Sequence, residues 1–172
     1  IENSSFTNNT AKNAGAVRIS SSAAGTTPVA SIRNSTFSGN SAAYGGAVQI
    51  HTSPEATAPI EFINTTITKN KATTSSGGGV NVWNPGGAAV LFHNTIVAGN
   101  EAPAFPAYRD FVGNVSSASS HNLVGQGYTG LGIVNGDQQD NQVGVDPKLG
   151  ELGRHGGSTA VYSLLADSPA LD

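Results

Sequence analysis

A period of about 30 residues constrains this chain more than any other feature of its sequence. Asparagines recur at spacings of 31, 30 and 30 residues, and a second asparagine follows each of them six positions later. Self-similarity at a fixed period in this range is typical of a solenoid, in which each repeat forms one coil. Three sets of positions are equivalent: Asn3, Asn34, Asn64 and Asn94; Asn9, Asn40, Asn70 and Asn100; Phe6, Phe37, Ile67 and Val97.

Each of the first three repeats divides into short strands separated by turn residues. In the second repeat, apolar and polar residues alternate over 29–34, and Val48 and Ile50 are spaced like one face of another strand. This is the period of a half-buried β-strand, and helical periodicity is absent except for a candidate short helix or capping segment at 162–165. Several strands per coil of about 30 residues predict an all-β fold, a parallel β-helix with three sheets.

The inward positions are predicted to stack as columns, because each coil can bury its apolar residues only against its neighbours. The asparagines are predicted to lie at turns, where Asn tolerates left-handed backbone and its amide can bond to the next coil. The predicted apolar columns are Ile1, Ile32, Phe62 and Phe92; Phe6, Phe37, Ile67 and Val97; Val17, Val48 and Val80; and Ile19, Ile50 and Val82.

The repeat schedule divides one domain into two parts. Residues 1–102 follow it as regular coils, whereas prolines interrupt it soon afterwards, so 103–172 are predicted to form two irregular coils, a long loop at 127–144 and a C-terminal cap. Because the chain begins inside a repeat without a charged and apolar leader, we expect it to be part of a longer or processed chain.

Composition excludes several classes of function. The net charge of −3 has no basic stripe for nucleic acid, and no apolar run reaches the ~20 residues that span a bilayer. There is no cysteine, so disulfides and thiolate metal sites are excluded.

Acidic residues are too scattered to predict an active site. Glycoside hydrolysis usually needs two carboxyl groups that flank the bond, and calcium-assisted elimination needs a carboxylate cluster and a base. Residues 1–109 contain no aspartate, and their four glutamates are separated along the chain. The sequence therefore favours a protein that is not an enzyme, without deciding the question.

The densest acidic stretch, at 135–146, is the one candidate for a metal site. Asp137, Asp140 and Asp146 have oxygen ligands that suit Ca²⁺, but the spacing matches neither an EF-hand nor a calcium-binding β-roll. The alternative is a solvated loop whose side chains cap their own backbone. The four histidines are spread over separate coils, and no cofactor other than calcium at this loop is predicted.

A polar and aromatic face is the candidate for a ligand or partner. Arg18, Gln49 and Asn81 occupy the outward position of equivalent strands, and Trp83 and Tyr108 lie in or near loops. Aromatic rings at a surface can stack on sugars. The alternative is an ordinary solvated sheet face.

The motifs resemble those of two groups of bacterial surface proteins. Phe37-Ser-Gly-Asn40 with Gly45-Gly-Ala-Val48 resembles the FxxN and GGA(I/L/V) repeats of polymorphic outer-membrane proteins, which are autotransporter adhesins. His121-Asn-Leu-Val-Gly125, the segment 145–152, Gly156-Gly-Ser-Thr159 and Ser168-Pro-Ala-Leu-Asp172 resemble the closing segment of "choice-of-anchor Q" proteins. The resemblance implies a right-handed β-helix that is exported and attached to the cell envelope, in a family that mostly lacks an assigned activity.

These observations predict a non-catalytic, extracellular or cell-surface β-solenoid of a bacterium that acts as a scaffold, adhesin or filament-forming module. Its expected partners are other copies of itself, end to end, or surface glycans. The alternative is a carbohydrate-active β-helix: a polysaccharide lyase, a hydrolase or a glycan-binding module.

Overall fold

A computed structural model describes residues 1–84, 90–128, 132–136 and 138–171. These residues form eighteen short β-strands and one 3₁₀ helix at Pro106–Tyr108. No helix among them is long and apolar enough to cross a membrane. The strands are β1 (Ser5–Thr7), β2 (Val17–Ser21), β3 (Ala30–Arg33), β4 (Thr36–Ser38), β5 (Ser41–Ala42), β6 (Val48–Thr52), β7 (Ile60–Ile63), β8 (Thr66–Thr68), β9 (Lys71–Ala72), β10 (Val80–Trp83), β11 (Val90–His93), β12 (Ile96–Val97), β13 (Phe111–Val112), β14 (Leu123–Val124), β15 (Gly127–Tyr128), β16 (Gln142–Val143), β17 (Leu149–Gly153) and β18 (Val161–Leu164).

Most of the strands belong to three parallel sheets that run along a solenoid. Sheet I contains β1, β4, β8, β12, β14 and β16; sheet II contains β2, β6, β10, β13 and β15; sheet III contains β3, β7 and β11. As far as β12 the chain passes through the three sheets in turn, and from β13 to β16 it alternates between sheets II and I; each new strand pairs with the previous strand of its sheet. The predicted all-β parallel β-helix is therefore confirmed.

The strand register reproduces the predicted columns. Phe6 pairs with Phe37, Phe37 with Ile67, and Ile67 with Val97, and the same column continues through Val124 to Val143 in sheet I. In sheet II, Val17, Val48 and Val80 are in register, and Ile19, Ile50 and Val82 lie beside them. In sheet III, Ile32, Phe62 and Phe92 are in register.

The core consists of these stacked apolar side chains. The rings of Phe62 and Phe92 are parallel, with centroids 4.7 Å apart, and those of Phe6 and Phe37 stack at 4.9 Å. Phe37, Phe62 and Phe92 are buried, whereas Ile1, at the first level of its column, is 50% exposed. A buried Phe contributes about 3–5 kcal/mol relative to alanine, so each level of these columns adds substantially to the stability of the coils.

A column of glycines explains the Gly-Gly motif of the repeats. A Cβ atom on Gly15 would lie 2.1 Å from the carbonyl oxygen of Gly46, and a Cβ on Gly46 would lie 2.1 Å from that of Gly78. Neighbouring coils therefore approach more closely here than any side chain allows. Gly45, the first glycine of its pair, has φ of +59°, which glycine adopts without strain.

Asparagines hydrogen-bond from coil to coil at one corner of the solenoid, where Asn40, Asn70 and Asn100 are buried and Asn9, in the first coil, is exposed. The Oδ1 atom of each accepts the backbone N–H and the side-chain Nδ2 of its neighbour, at 2.9–3.0 Å for Asn9 to Asn40, Asn40 to Asn70 and Asn70 to Asn100. The predicted amide bonds between coils are confirmed for the second asparagine column, but the left-handed backbone is not, since Asn9, Asn40, Asn70 and Asn100 have no positive φ. This ladder, which we call the buried ladder, satisfies backbone groups that the turn would otherwise leave unpaired.

The irregular part of the chain corrects two predictions. The segment 127–144 is not a loop throughout, because β15 and β16 lie at its two ends and extend sheets II and I. The segment 162–165 is not a helix, because β18 covers most of it and pairs with β17 as an antiparallel hairpin. After the interruption by Pro103 and Pro106, the next strand of sheet II is β13, which pairs with β10.

The residues from 149 to 171, which we call the C-terminal strap, lie across the outer face of sheet I. Thr159 donates to the carbonyl oxygen of Asn3 in the first coil, and the hydroxyls of Tyr162 and Ser38 are 2.7 Å apart in the second. Further along, Gln142 in β16 donates to the carbonyl oxygen of Pro169. The strap therefore runs along the solenoid side, over several coils.

Candidate functional site

The predicted calcium loop is only partly described, because Asp137 lies outside the described residues. Asp140 lies beside His121, with 3.7 Å between Oδ2 and Nε2, and lines a different cleft from Asp146. Asp146 accepts the N–H of Lys148 at 2.9 Å, as a self-capping turn does. Within the described ranges, no three potential metal ligands are grouped together.

The predicted partner face lies on the outer side of sheet II. Arg18, Gln49 and Asn81 are in register on neighbouring strands. Trp83 is 53% exposed, and His51, in register with it, meets its ring edge-on at a centroid distance of 4.3 Å. We call these five residues the Trp83 face.

Tyr108 does not belong to the strand columns of that face. It ends the 3₁₀ helix, and its carbonyl oxygen accepts the N–H of Gly77 at 2.8 Å, three residues before β10 begins. The Trp83 face itself is part of the outer surface of sheet II.

The buried ladder ends at a carboxyl group that sequence reasoning did not single out. Asp110 Oδ1 accepts the backbone N–H of Asn100 at 2.6 Å and its Nδ2 at 2.9 Å, and Oδ2 accepts the N–H of Gln126 at 2.7 Å. Burial raises the pKa of Asp110 above its usual value, against the opposing effect of these hydrogen bonds. Both oxygens are occupied, so the group serves as the acceptor that closes the ladder.

The first asparagine column forms a second ladder, which is exposed. Asn34 donates from Nδ2 to Asn3 Oδ1 at 3.2 Å, Asn64 donates to Asn34 at 3.1 Å, and Asn94 donates to Asn64 at 2.8 Å. All four have φ between 48° and 51°, the left-handed conformation that asparagine tolerates at a turn.

The exposed ladder continues with different residue types. His121 and Asp140 have φ of 56° and 55°, and the backbone bonds that join successive levels, from Asn94 to Ser120 and from His121 to Gln139, keep the same pattern. The column therefore has six levels. Its last two side chains are an imidazole and a carboxylate, 3.7 Å apart.

A groove separates the exposed ladder from the strap. It consists of two adjacent cavities of about 470 and 940 Å³, which share Asn64 and Thr66. The larger cavity also touches Ile96 on sheet I and Leu164 and Leu171 of the strap. We call this the ladder groove. The repeat predicts one of its walls, but the strap that forms the other wall is outside the repeat.

The fold defines the class of protein as a parallel β-solenoid. Comparison with models of protein families, with curated proteins and with solved structures finds no match. Its function therefore has to be inferred from the surfaces that the solenoid presents: the Trp83 face, the ladder groove and the strands at the ends of the sheets.

Proposed function

We propose that this protein is a non-catalytic β-solenoid of the bacterial cell surface, acting as a scaffold, an adhesin or a filament-forming module. The observation that carries the proposal is the continuity of the buried columns through successive coils. Apolar stacks and the buried asparagine ladder make each coil depend on the next, which suits a stiff spacer. The motifs that resemble those of autotransporter adhesins and "choice-of-anchor Q" proteins support the surface location.

The carbohydrate-active alternative has one specific candidate site. Asp110 and Asp146 line the same cleft of about 340 Å³, together with Arg109. Two carboxyl groups in one cleft are what glycoside hydrolysis requires. However, the oxygens of Asp110 already accept three N–H groups at 2.6–2.9 Å, so this carboxyl is poorly placed to act as an acid, base or nucleophile.

A polysaccharide panel tests the non-catalytic assignment. Neutral and acidic polysaccharides are incubated with the protein, with and without calcium, and new reducing ends and unsaturated products are measured. We expect neither to form. If the protein cleaves a polysaccharide and Asp146→Asn abolishes the cleavage, the protein is an enzyme and the non-catalytic assignment is wrong.

The filament-forming version depends on the strand edges of the first coil. Among the described residues, strands β1 and β2 each lie at one end of a sheet, and the edge of a sheet can pair with a strand of another chain. Electron microscopy at high protein concentration should show end-to-end polymers, and Ser20→Lys, at an exposed position of β2, should weaken them by placing a charge at this edge. Dispersed wild-type monomers would exclude the filament but not the adhesin.

A further inference from the structure

We propose that the ladder groove binds a linear, neutral polysaccharide chain that lies parallel to the solenoid axis. This deepens the proposed function, since an adhesin or scaffold at a cell surface needs a ligand site. The groove is distinct from the Trp83 face, which belongs to another sheet.

The amide wall has hydrogen-bonding capacity that the fold does not use. Asn34 uses one N–H to reach Asn3 and one oxygen lone pair to accept from Asn64, and Asn64 is placed in the same way between Asn34 and Asn94. A primary amide has two N–H donors and two acceptor lone pairs. Asn34 and Asn64 therefore each keep one N–H donor and one acceptor lone pair that the ladder does not use, the combination that pairs with a sugar hydroxyl.

The opposite wall and the floor are partly apolar. Leu164, Pro169 and Leu171 of the strap line the larger cavity, and Ile96 and Thr66 come from sheet I. A pyranose ring has C–H faces and hydroxyl edges. It can therefore place its apolar face against the strap while its hydroxyls bond to the amides.

The spacing of the ladder favours a sugar chain over an extended peptide. Successive amides are one coil apart, about 4.8 Å. Side chains on one face of an extended peptide repeat at about 6.6–6.8 Å, which falls out of step within two levels. A pyranose unit in an extended chain has nearly the length of one coil spacing, so each sugar can meet one level of the ladder.

The charge of the groove favours a neutral chain. Among the described residues that line the two cavities there is no lysine or arginine, and the ionisable ones are His121, Asp140 and His155. An acidic polysaccharide needs a row of cations to offset the desolvation of its carboxylates. Amides offer donors and acceptors without net charge, which matches hydroxyl groups.

The test uses isothermal titration calorimetry of the whole chain with linear hexamers of glucose, mannose and N-acetylglucosamine, and with the hexamer of galacturonic acid. We expect at least one neutral hexamer to bind and the acidic hexamer to bind more weakly. Affinity should rise with chain length up to about six sugars, because the ladder has six levels.

Two variants and a control locate the site. Asn64→Gly and Asn94→Gly keep the left-handed turns and remove one amide each, and each should weaken binding about tenfold, the effect of losing about 1.4 kcal/mol. Trp83→Ala should leave the affinity unchanged. The side-chain NH₂ resonances of Asn34 and Asn64 should shift on titration in NMR spectra.

Four outcomes would overturn the inference: no binding of any neutral hexamer, preference for the acidic hexamer, tighter binding of an extended peptide, or sensitivity to Trp83→Ala but not to the asparagine variants. None of them touches the scaffold proposal. Cleavage of a bound hexamer would instead refute the non-catalytic assignment and leave the groove in place.

Discussion

Asn70→Ala is the substitution that most directly tests whether buried amides hold the coils together. Asn70 is fully buried, and its Oδ1 accepts both the backbone N–H and the Nδ2 of Asn40 at 2.9 Å. Its own Nδ2 has two N–H groups and lies 2.9–3.0 Å from three acceptors, the carbonyl oxygens of Phe37 and Thr68 and Asn100 Oδ1, so one N–H is shared between two of them. Alanine removes all of these hydrogen bonds.

The loss of stability depends on which hydrogen-bond partners of Asn70 keep another hydrogen bond in the variant. The backbone N–H of Asn40 loses the acceptor it has in the structure, which costs about 1–3 kcal/mol for a buried donor. The Nδ2 of Asn40 still reaches the carbonyl oxygen of Phe6, and Asn100 Oδ1 still accepts the backbone N–H of Asn70, so the other losses are smaller. We expect the free energy of unfolding to fall by about 3–5 kcal/mol in total, in the range that a disrupted buried network gives.

Asn64→Gly is the matched control, because it removes an asparagine of the exposed ladder without straining the turn. Its side chain makes two exposed hydrogen bonds, to Asn34 and Asn94, and glycine accepts the φ of 51°. The loss should stay below about 1 kcal/mol. Urea denaturation followed by circular dichroism measures both variants. Equal losses, or a loss below about 1 kcal/mol for Asn70→Ala, would refute the role of burial.

Three further predictions concern single side chains. Burial raises the pKa of Asp110 above 3.8, so its contribution to stability is greatest below its unfolded-state pKa and declines as pH rises through its folded-state pKa. The free energy of unfolding, measured by urea titration at several pH values, should not show this decline in Asp110→Asn. The variant should also be less stable, because it places an NH₂ group against the N–H of Gln126. If the free energies of the two proteins change with pH in parallel, the prediction is wrong. Tyr162→Phe removes the buried bond to Ser38 and should speed hydrogen exchange of 149–171, with a loss of about 0.5–1.5 kcal/mol; unchanged exchange would show that the strap is held elsewhere. Trp83, the one tryptophan of the chain, should be quenched readily by acrylamide, and a shielded ring would contradict its 53% exposure.

The regular coils could be predicted down to the register because their length is constant. When coils of 30 or 31 residues stack, equivalent positions must lie above each other, so the period alone places Phe37 on Phe6 and Ile67 on Phe37. The same reasoning places the asparagines at turns. It also predicts which side chains point outward, as Arg18 and Gln49 do.

The irregular coils could not be predicted in this way, because their length changes. In a third column, the backbone N–H of Thr65 bonds to the hydroxyl of Thr95, and that of Thr95 bonds to Asn122 Oδ1. Asn122 is only 27 residues after Thr95, and the next member, Asn141, is only 19 residues further. In the exposed column, the residue type changes as well, to His121 and Asp140. A search for asparagine at a fixed spacing therefore stops at residue 100, although the structure continues.

Asp110 is a second residue whose position in a ladder could not be predicted from the repeat. It takes the next place in the buried ladder although it is ten residues from Asn100 and not about 30. Only the fold reveals this position, where Oδ1 accepts two N–H groups of Asn100 and Oδ2 accepts the backbone N–H of Gln126 in the following coil. The strap has no repeat at all, so its path along sheet I follows from packing and not from any pattern.

The two asparagine ladders differ in burial, and this difference determines whether their amides can bind a ligand. In the buried ladder, Asn70 Oδ1 accepts two N–H groups and both N–H groups of Nδ2 are shared among three oxygens, so no capacity remains for a ligand. In the exposed ladder, Asn64 makes only two side-chain bonds and faces the groove beneath the strap. A ligand site on this solenoid should therefore follow the asparagines that the fold leaves half satisfied. Removing their amides should change binding more than stability, whereas removing the buried amides should change stability first.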